Sequence, residues 1–295
     1  MDGELRGLLD IHGGVATTGQ LLGLLSRSRL DIMIRDGALV KVWPGVYSAT
    51  EPDNTLRLKG LDLRAGEPVA ICLGTAATVF GFATEDDADL HVLNPVGHQL
   101  RNSDGLVVHR RDGAPLTDID GRLATTPEWT AVEVARSLRR PRALATLDAA
   151  LRSGTCDGRQ LRAAAARQAG RRGIVGVREL IPMAQPLSES PMESEARLAM
   201  IDAGLPHPVL QHEIIDRDWR TWRVDFAWPD KHVAVEYDGF DWHSDADALR
   251  RDRQKRAALQ EVGWSVVSIV ADDVRRRSCD MVRRIEAAFE RVRAA

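Results

Sequence analysis

Apolar positions recur three and four residues apart at Leu5, Leu8 and Leu9, which predicts a first helix from Glu4 to His12, closed by Gly13 and Gly14. Thr17 or Thr18 caps a second helix through Leu25. Ser28 caps a third from Arg29 to Asp36, with Leu30, Ile32, Met33 and Ile34 as its apolar positions and Gly37 as its end. The apolar run from Ala38 to Ser48 is split by Pro44 and Gly45, the pattern of a short hairpin. Three short helices followed by a hairpin predict a winged helix. From residue 55 to 185, strand-like runs at Val69 to Leu73, Leu90 to Leu93 and Leu106 to His109 alternate with helices. One of these helices opens on Thr126, Pro127 and Glu128 and runs to Leu138. The polar stretch from Pro186 to Pro191 reads as a linker. After it, Ser190, Pro191 and Glu193 form a capping box for a helix through Ala203, with Glu195 as the alternative acid if that helix is rotated. Pro206 to Ile215 predicts a strand, and Val224 to Ala227 with His232 to Asp238 a hairpin around a Pro-Asp-Lys turn. Ala248 to Val262 then reads as a helix, Trp264 to Val270 as a buried strand and Asp280 to Val292 as a closing helix. The expected class is α/β in the mixed α+β sense, in three segments: a winged helix at 1–52, a mixed scaffold at 53–186, and at 187–295 a three-layer core whose mixed β-sheet is flanked by helices.

Composition narrows this picture without changing it. The chain has 295 residues, 44% apolar and 28% charged, as expected of a globular protein. No run of about 18 apolar residues is present, and Met1 to Asp10 carries acids where a secretion signal has a basic region, so neither a membrane span nor a leader is expected and the cytoplasm is the expected compartment. Cys72, Cys156 and Cys279 are odd in number and far apart, which argues against a disulfide framework or a zinc site. A net charge of -3 gives no global attraction to a polyanion, so affinity for nucleic acid has to come from local patches. Between Arg136 and Arg178 lie eleven arginines against Asp148 and Asp157 alone, either a phosphate-contacting surface or a set of solvated helix faces.

The densest chemistry lies between Arg223 and His243. Side chains alternate across a strand, so Glu236 and Asp238 share a face, and the antiparallel partner brings Asp225 close to them. Carboxylates crowded in a partly buried cleft repel one another unless a cation sits between them. Oxygen ligands of this kind suit Mg2+ or Mn2+ rather than zinc. His243, five residues beyond Asp238, has the titration range of a general base. The following helix concentrates basic residues in its first turns, among them Arg253 and Lys255, suited to phosphates on either side of a scissile one. Phe240 and Trp242 pack in the core or wedge against unstacked bases, with Trp242 the better DNA contact.

Two resemblances follow from these residues. The stretch GGVATTGQLLGLL…RLDIMIRDGALVKVWPGVYS resembles the N-terminal winged-helix module of AbiEi-type antitoxins over roughly the first 50 residues. In such modules the third helix enters the major groove and the wing lies on the backbone, which implies that Arg27, Arg29, Arg35 and Lys41 face DNA. The segment VDFAWPDKHVAVEYDGFDWH looks like the catalytic core of very short patch repair endonucleases, a PD-(D/E)XK, restriction-endonuclease-like fold, with the likeness running from about Glu189 to Val274. That resemblance implies Asp225 as principal metal ligand, Glu236 or the Tyr237 carbonyl as the second, His243 as general base and Glu193 as the helix acid beside the ion. Asp238 stands where many relatives carry lysine, so water activation falls to His243 or a second ion. The leading expectation is therefore a Mg2+- or Mn2+-dependent endonuclease acting on double-stranded DNA. The alternative is a catalytically inactive DNA-binding regulator of the AbiEi antitoxin type that uses the nuclease fold for clamping or dimerisation. A homodimer is compatible with either, and no membrane partner is expected.

Overall fold

The computed structural model describes residues 3–86, 88–97, 99–110, 113–239 and 246–294. Its contacts cluster into two compact units, residues 1–79 with 85–126, and residues 80–84 with 127–295. The class is mixed α+β, as expected.

The first unit opens with α1 (Gly3–Ile11), β1 (Val15–Thr17), α2 (Thr18–Leu22), α3 (Arg27–Arg35), β2 (Val40–Trp43) and β3 (Val46–Ser48). Thr17 and Gln20 cap α2 reciprocally, which fixes the turn from β1 into the helix. Ser26, not Ser28, caps α3 by accepting from the Arg29 N–H, so the third helix starts two residues earlier than its apolar pattern implies. The wing strands pair antiparallel in the order β1-β3-β2, and Gly45 takes a φ of 79° at the tip. Leu5, Leu9, Leu21, Leu30, Met33 and Leu39 close the core between the helices. The wing does not end this unit. Val15, Val42, Trp43 and Val46 share a second core with Leu61, Val69, Leu90 and Leu106. These come from α4 (Asn54–Ala65), the segment after it, and the parallel pair β4 (Leu90–Leu93) and β5 (Leu106–His109); α5 (Leu73–Val79) and the hairpin of β6 (Leu116–Ile119) and β7 (Arg122–Thr125) complete the unit. The expected strand at Val69 to Leu73 reduces to single bridges from Ile71 to Val92 and Ala124, because Leu73 already begins α5.

The second unit holds α6 (Pro127–Ser137), α7 (Arg140–Arg152), α8 (Gly158–Arg167), α9 (Ile174–Leu180), α10 (Pro191–Asp202), β8 (Val209–Ile215), β9 (Thr221–Trp228), β10 (Val233–Tyr237), α11 (Ala246–Glu261), β11 (Ser265–Ile269), α12 (Ala271–Arg275) and α13 (Ser278–Ala294). The sheet order is β11-β10-β9-β8, with β10 and β11 parallel and the other pairs antiparallel. A crossover through α11 joins the parallel pair, as parallel neighbours require. Alternation builds the layers. Phe226, Trp228, Val233 and Val235 face Ala196 and Met200 of α10 and Met281 and Ile285 of α13. Ala227 and Ala234 face the other way, onto Leu259 of α11 and Trp264. Among the described residues no helix is long and apolar enough to cross a membrane.

Candidate functional site

Two arrangements bear on function, one in each unit. In the first, α3 and the wing display cations. Arg27, Arg29, Arg35 and Lys41 are all exposed, while Leu30 and Met33 turn inward. Arg35 is tied to its neighbour Asp36 at 3.2 Å, with both side chains in solvent, so its charge is partly cancelled. Asp31 is exposed on the same helix.

In the second unit, polar side chains converge where α10, β8, β9 and β10 meet. Ser190 caps α10 and accepts from the Glu193 N–H at 3.2 Å. The Glu193 carboxylate closes the cap one residue further back than a capping box does, accepting from the Glu189 N–H at 2.8 Å. It also accepts from Gln211 Nε2 at 3.0 Å, and that same nitrogen lies 3.4 Å from Asp225 Oδ1. The other oxygen of Asp225 accepts the Tyr237 N–H at 2.8 Å, which locks the carboxylate between the two strands. Glu236 stands on the face of β10 that α11 covers, and Lys255 of α11 forms an ion pair with it. Burial pushes the Asp225, Glu193 and Glu236 carboxyls above their ordinary values. Asp225 adds to the effect at Glu193 and Glu236, while Lys255 opposes it at Asp225 and Glu236.

This geometry separates the expected site residues. Glu193 and Asp225 are joined through the Gln211 amide, while Glu236 neighbours Asp225 across the β9–β10 pairing and is held by Lys255. Asp238 is exposed at the end of β10, where its N–H donates to the Ile269 carbonyl at 2.8 Å. Glu195 points elsewhere: burial raises it, but hydrogen bonds from Arg275 and Arg142 outweigh burial and hold it below the ordinary carboxylate range. Arg253 is exposed on α11. Trp242 and His243 lie outside the described residues, as does Phe240.

Two participants were not read as such in the sequence. Gln211 gave no signal, since its role depends on the pairing of β8 with β9. The basic run suggests a phosphate contact for Lys255, and its position on α11 turns it to Glu236. Together they change the electrostatic argument. Lys255 and the Gln211 amide compensate the acids from within the chain, so their closeness does not by itself demand a divalent ion. Among the described residues no group of three or more His, Cys, Asp or Glu side chains is arranged to hold a metal ion. The donor chemistry still suits one, because Glu193 and Asp225 offer oxygens, and the Gln211 Oε1 between strands is buried without a hydrogen-bond partner.

The arginine-rich stretch is largely spent inside the unit. Arg136 and Arg171 both reach the fully buried Glu133, and Arg140 pairs with Asp202. Arg142 pairs with Glu195, and Arg152 and Arg178 donate to backbone carbonyls. Arg167 and Arg171 also lie over the Trp129 ring, at 5.4 and 4.9 Å. Arg139, Arg159, Arg162 and Arg172 are exposed, and Arg140, Arg152, Arg167 and Arg178 also stay exposed while making the contacts above. The histidines of the first unit are less scattered than their spacing suggests. Parallel pairing of β4 with β5 stacks His91 on His109, with Nδ1 and Nε2 2.8 Å apart. His98 lies outside the described residues. Cys72 and Cys156 are buried and Cys279 exposed, and burial pushes the Cys156 thiol up to about 12.

Residues 69–183 match the family model described as the AbiEi antitoxin C-terminal domain. The match begins after the winged helix, so the AbiEi likeness expected of the first segment is carried by the residues that follow it. It stops short of Pro191 and covers none of the strands that bear the acid cluster. Over 271 residues the chain is 52% identical to the uncharacterized proteins MT2308 and Rv2248 of two Mycobacterium tuberculosis strains, CDC 1551 / Oshkosh and ATCC 25618 / H37Rv, covering 92% of this chain and 100% of each of theirs. This chain belongs to the family of those proteins. The crystal structure of the RV2827C protein from Mycobacterium tuberculosis is similar at a TM-score of 0.44 and 18% identity, covering 72% of this chain and 87% of that chain.

Proposed function

We propose that this chain is a double-stranded-DNA-binding regulator of the AbiEi antitoxin type, in which α3 reads the major groove and the β2–β3 wing lies on the phosphate backbone. One observation carries the reading: the exposed Arg27, Arg29 and Lys41 project from a winged helix whose sheet shares its core with the start of the AbiEi-matched segment. Phosphate contacts would position the module, and side chains on the outer face of α3 would sample base edges. Selection of bound duplexes from a randomised pool by the full-length chain is expected to enrich one sequence. The R27A/R29A variant should enrich nothing above background. Equal enrichment by both chains would remove α3 from the interface, and a palindromic winning sequence would indicate a homodimer.

A second reading is favoured by the carboxylates of Glu193 and Asp225 meeting at the Gln211 amide in the second unit: a divalent-metal-dependent endonuclease site. Glu193, Asp225 and Glu236 would hold Mg2+ or Mn2+, with Tyr237 as the backbone candidate. When bound, such an ion supplies polarisation of a phosphodiester oxygen and a lowered pKa for water. Around it, Lys255 keeps a positive charge against Glu236, and the Tyr237 N–H orients Asp225. Asp238, just past β10, and His243, outside the described residues, are the proton-handling candidates, and Arg253 and Trp242 the DNA contacts. Supercoiled plasmid incubated with Mg2+, Mn2+ or chelator tests this. Nicking that needs the metal and disappears in D225A, with duplex affinity retained, supports hydrolysis; nicking at the same rate in D225A contradicts the ligand assignment.

A further inference from the structure

Gln211 sits inside β8 with a φ of 49°, in the left-handed region that a side chain with a Cβ rarely adopts. Its neighbours keep ordinary register, Leu210 against Phe226 and His212 against Val224, so the distortion is confined to one residue. That residue's amide is also mismatched. Nε2 donates to Glu193 Oε2 at 3.0 Å and approaches Asp225 Oδ1 at 3.4 Å, while Oε1 is buried with no hydrogen-bond partner. An amide has one donor end and one acceptor end. Facing two acceptors, only the nitrogen can turn toward the acids, which strands the oxygen; the reverse orientation would set the oxygen against carboxylates. Backbone strain and an orphaned buried oxygen at one position mark a place held for something other than stability.

We propose that Gln211 is a switching ligand: its nitrogen bridges Glu193 and Asp225, and the amide turns over to present Oε1 to a divalent cation bound between those acids. The three oxygens then come from three elements, α10, β8 and β9, and the orphaned atom acquires its partner. A hard cation of the Mg2+ or Mn2+ class suits that donor set, and a carbonyl oxygen beside two carboxylates is ordinary chemistry for it. The inference rests on the second reading above, and it identifies a cation ligand that sequence spacing did not suggest.

The test is Mn2+ binding to the full chain, followed by calorimetry and by the Mn2+ electron-spin signal without any substrate. Wild type is expected to bind, D225N to lose binding, and Q211L, which keeps bulk and removes the oxygen, to bind roughly tenfold or more weakly. Q211E places a carboxylate oxygen there and should bind more tightly than wild type. Absence of Mn2+ binding in wild type would overturn the metal reading itself. Binding lost in D225N but equal in wild type and Q211L would overturn the Gln211 assignment alone. Should Q211L fail to fold, Q211E decides: unchanged or weaker Mn2+ affinity in that variant contradicts the proposal.

Discussion

Burial pushes the Asp225 carboxyl above its ordinary value, against the Tyr237 N–H, the Lys255 charge and the Gln211 amide, which pull it down. The same direction holds for Glu193 and Glu236. The stability these groups contribute is therefore complete below their unfolded pKa values, near 4 for carboxyls, and is lost as pH rises through the raised folded ones. D225N keeps an oxygen for the Tyr237 N–H and removes the charge, and its new amide can donate to a turned-over Gln211 Oε1. It should stabilise the protein at neutral pH in the absence of added divalent metal by up to about 1 kcal/mol, with the gain shrinking as pH falls toward 4. Urea unfolding of both chains across that range checks it; a gain independent of pH would mean the carboxylate is not held at a cost. At this scale strand alternation makes the nearness of Asp225 and Glu236 legible, while Asp238, grouped with them by the same alternation, lies exposed past the end of β10. The sequence could not disclose Gln211 or the partner of Lys255. Each acts across a pairing set by packing between elements distant in the chain.

Elements were legible where their punctuation is local. Ser190 and Pro191 start α10, Pro44 and Gly45 turn the wing, and the Pro-Asp-Lys turn joins β9 to β10. Reading failed where two signals compete. Ser26 and Ser28 both qualify as caps for α3, and the cap goes to the one whose hydroxyl reaches the Arg29 N–H. At Val69 to Leu73 the apolar run favours a strand, but a helix begins at Leu73 and leaves only Ile71 to bridge its neighbours. The parallel pairing that brings His91 to His109 was invisible for a related reason: nothing local sets the register of β4 against β5. Gly173 offers a test of the helical layer. It precedes α9 with a φ of 82°, and a Cβ there would overlap the Arg136 carbonyl. G173A should lower stability by about 1–3 kcal/mol, read as a fall in the urea midpoint with an unchanged slope. An unaltered midpoint would show that the α6–α9 contact tolerates movement.

For the whole molecule, charge counts mislead and placement decides. The eleven-arginine stretch admits either a phosphate-contacting surface or solvated helix faces, and most of its members reach carboxylates, carbonyls or the Trp129 ring within their own unit. The cations of α3 and the wing are fewer but exposed, so a chain of net charge -3 meets DNA through a small patch. That patch also belongs to a larger body than the first fifty residues, because Trp43 and Val46 pack with Leu61 and Leu90. The most direct measurement is fluorescence anisotropy of a labelled duplex against the full chain over a series of salt concentrations, for wild type and for R27A/R29A/K41A. A steep fall of affinity with salt in wild type, with the log–log slope reduced by about one for each phosphate-contacting cation removed, is the predicted result. An identical slope and affinity in the two chains would contradict the winged-helix interface.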